Sequence, residues 1–333
     1  MVRRRDFLKS MAALTAGVAL PLHAGAPTRD RLGELLPRRL LGRTGVPVTM
    51  LGAGGHHLGA TTDRDCQEAI EAALEGGIRF FDTAENYSAG RSESRLGQYL
   101  TPKYRDLVFL MTKTNAEDAQ AARGHLEGSL KRLDTDYLDL WQIHGVGRPA
   151  DVDSCLAGGV LEVLMEAQAA GKVKYLGFTG HEDPAGFGRI LEATRESDNF
   201  DACQMPINVL DPSYHSFIET VIPQAGSRKI GLLAMKTLAG GRFFDTSKEG
   251  KKVTAGTAET VIPGRVSLEE ALSFVWSLPV SVLITGAENA DLLREKIALA
   301  RRFASLDQKE RDALVEKVAD MAVGGKVEFY KSV

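Results

Sequence analysis

The sequence predicts a (β/α)8 barrel, a fold in which eight parallel strands alternate with eight helices. Strand-like and helix-like segments alternate along most of the 333 residues. Most of the strand-like segments are continuous apolar runs, as expected for parallel strands that are covered on both faces. The chain length suits this fold, which takes roughly 200 to over 400 residues.

Eight short apolar runs bounded by turn residues are predicted as the strands. They cover residues 48–53, 79–84, 108–113, 137–144, 175–180, 202–208, 230–236 and 282–286. Residues 39–49, with Arg43-Thr44-Gly45 in the middle, are predicted to form a hairpin that caps the bottom of the barrel.

Apolar residues three and four positions apart predict helices between these strands. The clearest sets are Ala69, Ile70, Ala73 and Leu74, then Leu126, Leu130 and Leu133, and finally Leu293, Ile297 and Ala300. Gly76 and Gly77 are predicted to end the first of these helices. An extra helix is expected at the C-terminal end of the barrel domain, which is placed at residues 38–325.

Two connections are long, at residues 145–158 and 239–266. In a barrel both would lie over the C-terminal face, where active sites are found. The second is rich in Gly, Lys and Thr and is predicted to be a mobile surface loop.

A doubly wound parallel sheet is the competing architecture. It normally carries a GxGxxG fingerprint after its first strand. Residues 52–57 read GAGGHH, which does not match. The barrel is therefore the preferred fold.

Composition excludes several classes of protein. The formal net charge is −3, with acidic and basic residues interspersed, which argues against a nucleic-acid-binding surface. The three cysteines, Cys66, Cys155 and Cys203, are far apart and form no CxxC pair. A disulfide framework or a cysteine-based zinc site is therefore not expected.

The first 26 residues have the character of a signal peptide. A basic start is followed by an apolar run over residues 11–20, which is too short to span a bilayer, and by Ala-Gly-Ala at residues 24–26. The sequence RRDFLK at residues 4–9 resembles the twin-arginine export signal of bacteria. We expect export by the twin-arginine translocation machinery to the periplasm. Cleavage after Ala24, cleavage after Ala26 and retention as a membrane anchor all stay open, and an amphipathic N-terminal helix is the alternative.

Four polar residues fall at or just after predicted strand ends: Asp82, Tyr87, Lys113 and His144. In a barrel these ends meet at one rim. A buried lysine and carboxylate are costly unless they pair. Beside Tyr87, the ammonium of Lys113 is expected to lower the pKa of the phenol towards working pH. The group would then deliver a proton, with His144 orienting a carbonyl or relaying protons.

These residues lie in long motifs. Residues 77–87 read GIRFFDTAENY, residues 92–97 SESRLG, residues 129–144 SLKRLDTDYLDLWQIH and residues 171–180 GKVKYLGFTG. The motifs resemble those of the aldo-keto reductases, and the resemblance covers residues 39–314. It implies an NAD(P)H-dependent oxidoreductase that interconverts an aldehyde or ketone and its alcohol by hydride transfer.

The resemblance also assigns the catalytic residues. Tyr87 is implied as the general acid and base, supported by Asp82, Lys113 and His144. His56 sits where an aromatic residue of the family often lines the substrate pocket.

The cofactor half of the resemblance is less complete. The family pair of serine and asparagine that holds the nicotinamide amide reads Thr179 and Gly180 here. Gln204 and Asn208 match the family. Met235 replaces the tyrosine that stacks on the nicotinamide, and methionine can pack under a ring through its polarisable sulfur.

Other positions bear on the choice of nucleotide. Lys236 replaces a small polar residue and is expected near the cofactor diphosphate. Around the start of the last helix, Gly286 and Glu288 stand where basic residues of the family hold the 2′-phosphate of NADPH, and Glu295 is a further expected contact. A carboxylate disfavours a phosphate, although Arg294 lies nearby. NADP(H) and NAD(H) both remain possible cofactors.

His56 and His57 suggest a metal site at first sight. Adjacent strand residues point to opposite faces, so the pair is not expected to bind a metal. The histidines at positions 125, 181 and 215 are expected to be surface or structural residues. The alternative to an enzyme is a non-catalytic nucleotide-binding regulatory subunit, and a metal hydrolase is a more distant one.

Overall fold

A computed structural model describes residues 27–243, 262 and 264–331 of the chain. The predicted signal peptide and most of the second long connection lie outside the described residues. No helix in the described part is both long enough and apolar enough to cross a bilayer.

Eight parallel strands close into a barrel, which confirms the predicted fold. Numbered in chain order after the hairpin strands β1 to β4, they are β5 (Leu51–Gly54), β6 (Phe80–Asp82), β7 (Phe109–Thr114), β8 (Leu138–Ile143), β9 (Val173–Thr179), β10 (Ala202–Pro206), β11 (Gly231–Met235) and β12 (Val282–Thr285). Neighbours in sequence are neighbours in the barrel, and β12 pairs with β5 through Leu283 and Leu51.

Two hairpins precede the barrel. Strands β1 (Arg29–Asp30) and β2 (Gly33–Glu34) form a small one that the sequence did not reveal. Strands β3 (Arg38–Leu40) and β4 (Pro47–Thr49) form the predicted one. The prediction of a single strand at residues 48–53 was wrong in one respect. The segment forms two strands, β4 and β5, which are separated at Met50.

The hairpin of β3 and β4 closes the bottom of the barrel. Its Leu41 and Val48 join the apolar cluster inside the barrel, where Phe80 stacks on Phe109 with ring centres 4.9 Å apart. Arg39 is 1% exposed and donates hydrogen bonds to the carbonyl oxygens of Trp276 and Val280 at 2.6 and 2.7 Å. The bottom is thus sealed, and the open end of the barrel is the one where the strands finish.

Helices surround the strands and bury the predicted apolar faces. They are α1 (Gly55–Ala60), α2 (Asp63–Glu75), α3 (Arg91–Tyr99), α4 (Thr101–Tyr104), α5 (Ala119–Leu133), α6 (Pro149–Ala157), α7 (Val160–Ala169), α8 (Pro184–Ala193), α9 (Phe217–Ser227), α10 (Leu268–Trp276), α11 (Ala290–Arg301) and α12 (Gln308–Val318). Helix α2 ends at Gly76 as predicted, α6 occupies most of the first long connection, and α12 is the extra C-terminal helix.

The chain then returns to the open end of the barrel. After a 3-10 segment over Ala319–Gly325, residues 326–331 form a tail over the ends of β9, β10 and β11. The tail is anchored by Lys331, which is 3% exposed and pairs with Asp211 at 2.7 Å and with Glu328 at 3.0 Å. This tail forms part of the wall of the barrel mouth.

Candidate active site

The four predicted acid–base residues meet at the open end of the barrel. Asp82 is the last residue of β6, Lys113 lies near the end of β7 and His144 directly follows β8. Tyr87 comes from the connection after β6. Parallel strands that are neighbours in the barrel finish at the same rim, so sequence segments far apart deliver these side chains to one place.

Lys113 is the centre of this group. Its Nζ forms an ion pair with Asp82, donates a hydrogen bond of 2.7 Å to the carbonyl oxygen of Thr83 and lies 3.3 Å from the hydroxyl of Tyr87. Lys113 is 0% exposed and Asp82 is 3% exposed. The ammonium therefore has three oxygen partners, which compensate for its removal from water.

Charge and burial compete in the pair of Lys113 and Asp82. Burial by itself lowers the pKa of Lys113, but the carboxylate of Asp82 and the oxygen of Tyr87 outweigh it and raise that pKa above its ordinary value. Burial raises the pKa of Asp82, and the ammonium of Lys113 opposes this. The raised pKa of Lys113 favours its ammonium form, which places a positive charge beside the phenol.

The expected lowering of the Tyr87 pKa was wrong. Burial raises the pKa of Tyr87 above its ordinary value, and the opposing effect of Lys113 does not overcome it. Burial removes water that would stabilise the phenolate form of Tyr87. The ammonium 3.3 Å away stabilises the phenolate by less than this loss. Tyr87 consequently holds its proton at neutral pH and can act as a donor.

His144 lies next to Tyr87, with ring centres 5.9 Å apart and planes at 78°. Burial, with the positive charges of Lys113 and Lys236, lowers the pKa of His144 to about 3. Its Nδ1 is buried and has no hydrogen-bond partner in the described part of the chain. His144 is thus a neutral imidazole with an unsatisfied ring nitrogen, which suits it to orient a polar ligand atom.

The connection that carries Tyr87 has an unusual backbone. Ser88, Ala89 and Gly90 follow it with φ of 53°, 56° and 83°, all in the left-handed region. Such a conformation costs roughly 1–2 kcal/mol at each non-glycine residue. The surroundings must hold it, and a hydrogen bond of 3.3 Å from the Ser92 amide to the Tyr87 carbonyl oxygen contributes. The turn fixes where the phenol points.

His56 lies on the other side of Tyr87, edge-on, with ring centres 5.3 Å apart. It is exposed at the mouth, which is where a residue lining a substrate pocket must be. His56 and His57 follow the first barrel strand as expected, but they belong to helix α1, so the alternation of adjacent residues between opposite faces of a strand does not apply to them. In the described residues, no three His, Cys, Asp or Glu side chains are grouped to hold a metal.

Among the predicted cofactor contacts, Thr179 ends β9 and pairs with Gln204 in the middle of β10, and both are 1% exposed. Gln204 accepts a hydrogen bond of 3.0 Å from Gln142, and its side chain lowers the pKa of Asp82. It is therefore joined to the acid–base group. A Cβ atom at Gly180 would lie 1.9 Å from the carbonyl oxygen of Val146, so no asparagine fits there.

The rim after β11 fits a nicotinamide nucleotide. Met235 is half-buried at the end of that strand, and the hydroxyl of Thr237 is buried without a partner in the described part of the chain. Among the described residues, nothing lies within 4 Å of a Cβ atom built at Gly241, so this part of the chain leaves room for a ligand beside that backbone. A buried hydroxyl without a partner among the described residues is a polar group that a bound ligand could satisfy.

A buried lysine that was not predicted lies close to the start of helix α11. Lys296 is 5% exposed and donates a hydrogen bond of 2.6 Å to the carbonyl oxygen of Gly286, and burial lowers its pKa to about 8 although Glu288 and Glu295 oppose this. His57 packs against Gly286 and lies 3.8 Å from Glu288. The sequence analysis missed Lys296, although its spacing from the predicted apolar face of this helix could have revealed it.

His181 and Tyr330 were also missed as residues of the mouth. His181, expected to be structural or on the surface, is half-buried, and its Nδ1 lies 3.3 Å from the carbonyl oxygen of Tyr330 in the tail. The hydroxyl of Tyr330 accepts a hydrogen bond of 3.0 Å from Asn208. No sequence pattern links these residues, since the tail reaches them only through the fold.

Comparison with known proteins agrees with the family resemblance of the sequence motifs. The sequence model of the aldo/keto reductase family matches residues 50–319. The oxidoreductase YrpG of Bacillus subtilis (strain 168) is 30% identical over 302 residues, which cover 77% of this chain and 89% of that protein. The 6-dehydroglucose reductase of Novosphingobium aromaticivorans is 26% identical over 282 residues, with 77% and 88% covered.

A solved structure agrees in fold. The holo form of the aldo-keto reductase AKR11C1 from Bacillus halodurans superimposes with a TM-score of 0.70 at 22% identity. The superposition covers 88% of this chain and 99% of that one.

Proposed function

The chain belongs to the aldo/keto reductase family, and from this premise we propose that it interconverts an aldehyde or ketone and its alcohol, with Tyr87 as the proton donor. As a member of this family it is an NAD(P)H-dependent oxidoreductase. The observation that carries the proposal is the buried contact of 3.3 Å between Lys113 Nζ and the Tyr87 hydroxyl.

Each residue of the site would have its own role in the reaction. Met235, Thr179 and Thr237 would hold a nicotinamide, which when bound would supply the hydride for the carbonyl carbon. Tyr87 donates its proton to the carbonyl oxygen. Lys113 stabilises the phenolate that this transfer leaves behind, because its ammonium stays charged.

Two other residues prepare the transfer. Asp82 keeps Lys113 charged and in place. His144 is neutral, so one of its ring nitrogens can donate a hydrogen bond to the carbonyl oxygen without competing for the proton. In the oxidative direction the same groups would return the proton to Tyr87.

The decisive test is Tyr87→Phe, measured by nucleotide binding and by carbonyl reduction. Within the described residues the hydroxyl has one long hydrogen bond, of 3.3 Å, so its loss costs about 1 kcal/mol of folding free energy or less. Loss of the general acid should reduce kcat by about 10²- to 10⁴-fold. Tyr99→Phe, at the end of helix α3, is the matched control.

Retained carbonyl reduction in the Tyr87→Phe variant would refute the role of this phenol. Nucleotide binding without turnover of any carbonyl by the unaltered protein would instead favour a regulatory nucleotide-binding subunit. The intact acid–base group supports the enzyme, because a binding subunit has no use for a charged lysine beside a phenol.

We further propose export by the twin-arginine route to the periplasm, on the basis of residues 4–9 alone, which lie outside the described residues. Fusing the segment before residue 38 to a reporter that is active only after export tests this. Replacing both arginines at positions 4 and 5 by lysine should abolish reporter activity. Export that persists in that variant would contradict the proposal.

A further inference from the structure

Lys236 occupies a distinctive position at the mouth of the barrel. It directly follows β11 with a left-handed backbone, φ 56°, and its carbonyl oxygen accepts a hydrogen bond of 3.4 Å from Asn208. Its Nζ lies 5.8 Å from the centre of the Tyr330 ring. Its charge lowers the pKa of both His144 and His181. The side chain therefore lies among the residues that surround the acid–base group.

Among the described residues, the ammonium of Lys236 has no acidic partner within ion-pair distance. Lys113 and Lys331, two described lysines of the mouth, each form an ion pair with a buried aspartate. Within the described residues, no carboxylate lies within 4.0 Å of Lys236 Nζ, and the face of Tyr330 at 5.8 Å is a weak substitute. A half-buried ammonium in this situation attracts an anion from solution.

Lys236 and Lys296 have different charged neighbours and so belong to different parts of the site. The charges that act on Lys236 belong to Lys113 and Asp82, whereas those that act on Lys296 belong to Glu288 and Glu295 on the side of helix α11. In a dinucleotide, a ribose separates the diphosphate from the nicotinamide carbon that reacts. Lys236 follows β11 beside Tyr330 and acts on the acid–base group, so a ligand group close to the reacting carbonyl is within the range of its charge.

We propose that Lys236 binds a carboxylate of the substrate, so that the enzyme prefers carbonyl compounds that carry an acid group. This inference rests on the proposed carbonyl reduction at Tyr87. His144 is neutral and Lys113 is already paired with Asp82, so neither supplies a net charge to the ligand. A carboxylate that enters the mouth finds its counter-charge at Lys236. Lys236 was predicted to contact the cofactor diphosphate, and substitution of Lys236 distinguishes the two roles.

The test uses the full chain loaded with nucleotide and two matched pairs of aldehydes: 3- and 4-carboxybenzaldehyde and their methyl esters. The unaltered enzyme should show the higher kcat/KM for the acid of at least one pair. Lys236→Met should lower that ratio of acid to ester by about tenfold or more, since it removes one charge-assisted hydrogen bond. Lys236→Arg should retain most of the preference.

Lys172→Met is the control, because this exposed lysine pairs with Glu127 and precedes β9 at the opposite end of the barrel. It should leave the ratio unchanged. An unchanged ratio in Lys236→Met would overturn the proposal. If that variant instead loses nucleotide affinity with the ratio intact, Lys236 is a diphosphate ligand and the proposal is equally overturned.

Binding provides a measurement that does not depend on turnover. Calorimetry with 4-(hydroxymethyl)benzoate, the alcohol of one probe, should show an affinity about tenfold or more weaker in Lys236→Met than in the unaltered holoenzyme. Equal affinities would refute the role of Lys236. Normal binding without reduction of either aldehyde would count against carbonyl reduction, and not against the carboxylate site.

Discussion

Replacing Asp82 by asparagine tests the electrostatic account of the site most directly. The change keeps the shape of the side chain and removes the negative charge that pairs with Lys113. Since Lys113 is 0% exposed, its ammonium would then be buried beside neutral oxygens only. Breaking a buried ion pair from one side costs about 3–5 kcal/mol, which is the expected loss in the free energy of unfolding at pH 7.

The loss in the free energy of unfolding should become smaller as the pH rises. In the unaltered protein the pKa of Lys113 is raised, so its contribution to stability is complete below the unfolded value of 10.5 and disappears as the pH rises through the higher folded value. Without Asp82, burial lowers that pKa below 10.5. The penalty is then largest at neutral pH and shrinks as the pH approaches 10.5.

Urea unfolding at pH 7 and pH 9.5 measures both quantities. The double variant Asp82→Asn, Lys113→Met contains no buried charge at this position and should be more stable than Asp82→Asn alone. A deficit below about 1 kcal/mol at pH 7, or one that grows between pH 7 and pH 9.5, would refute the reasoning.

Three further outcomes follow from the structure. Because burial raises the pKa of Tyr87, kcat/KM for carbonyl reduction should be flat from pH 6 to 9; a decline within that range that Tyr87→Phe abolishes would contradict this. Glu288→Gln should increase NADPH affinity relative to NADH about threefold or more by fluorescence titration, because it removes a negative charge near helix α11; an unchanged ratio argues against this placement. Lys331→Met should lower the free energy of unfolding by about 3–5 kcal/mol, as two buried carboxylates lose their cation; a loss under 1 kcal/mol would be inconsistent.

The sequence was sufficient to locate the barrel and the acid–base group. Apolar runs and helical spacing are local properties, and each predicted strand overlaps an observed one within a few residues. The group of Asp82, Tyr87, Lys113 and His144 was accessible for the same reason, because parallel strands bring their ends together whatever lies between them.

The sequence could not predict features that depend on packing between distant segments. The sign of the Tyr87 pKa shift follows from how completely the mouth excludes water, which no pattern states. The tail residues Glu328 and Tyr330 meet Asn208 across more than a hundred positions. The direction of Lys236 likewise depends on a left-handed backbone that its neighbours do not predict.

The pairing of β12 with β5 has a consequence for the way this protein is made. Leu283 and Leu51 are joined by hydrogen-bonded strands, although nearly the whole barrel separates them in the chain. Contacts between such distant positions form late and slow the folding of a protein. While the ribosome is still producing the last strands, the growing chain is an open, incomplete sheet. The mouth with Tyr87 and Lys236 comes into existence only after synthesis has almost ended, so a nucleotide can be captured only by the finished chain.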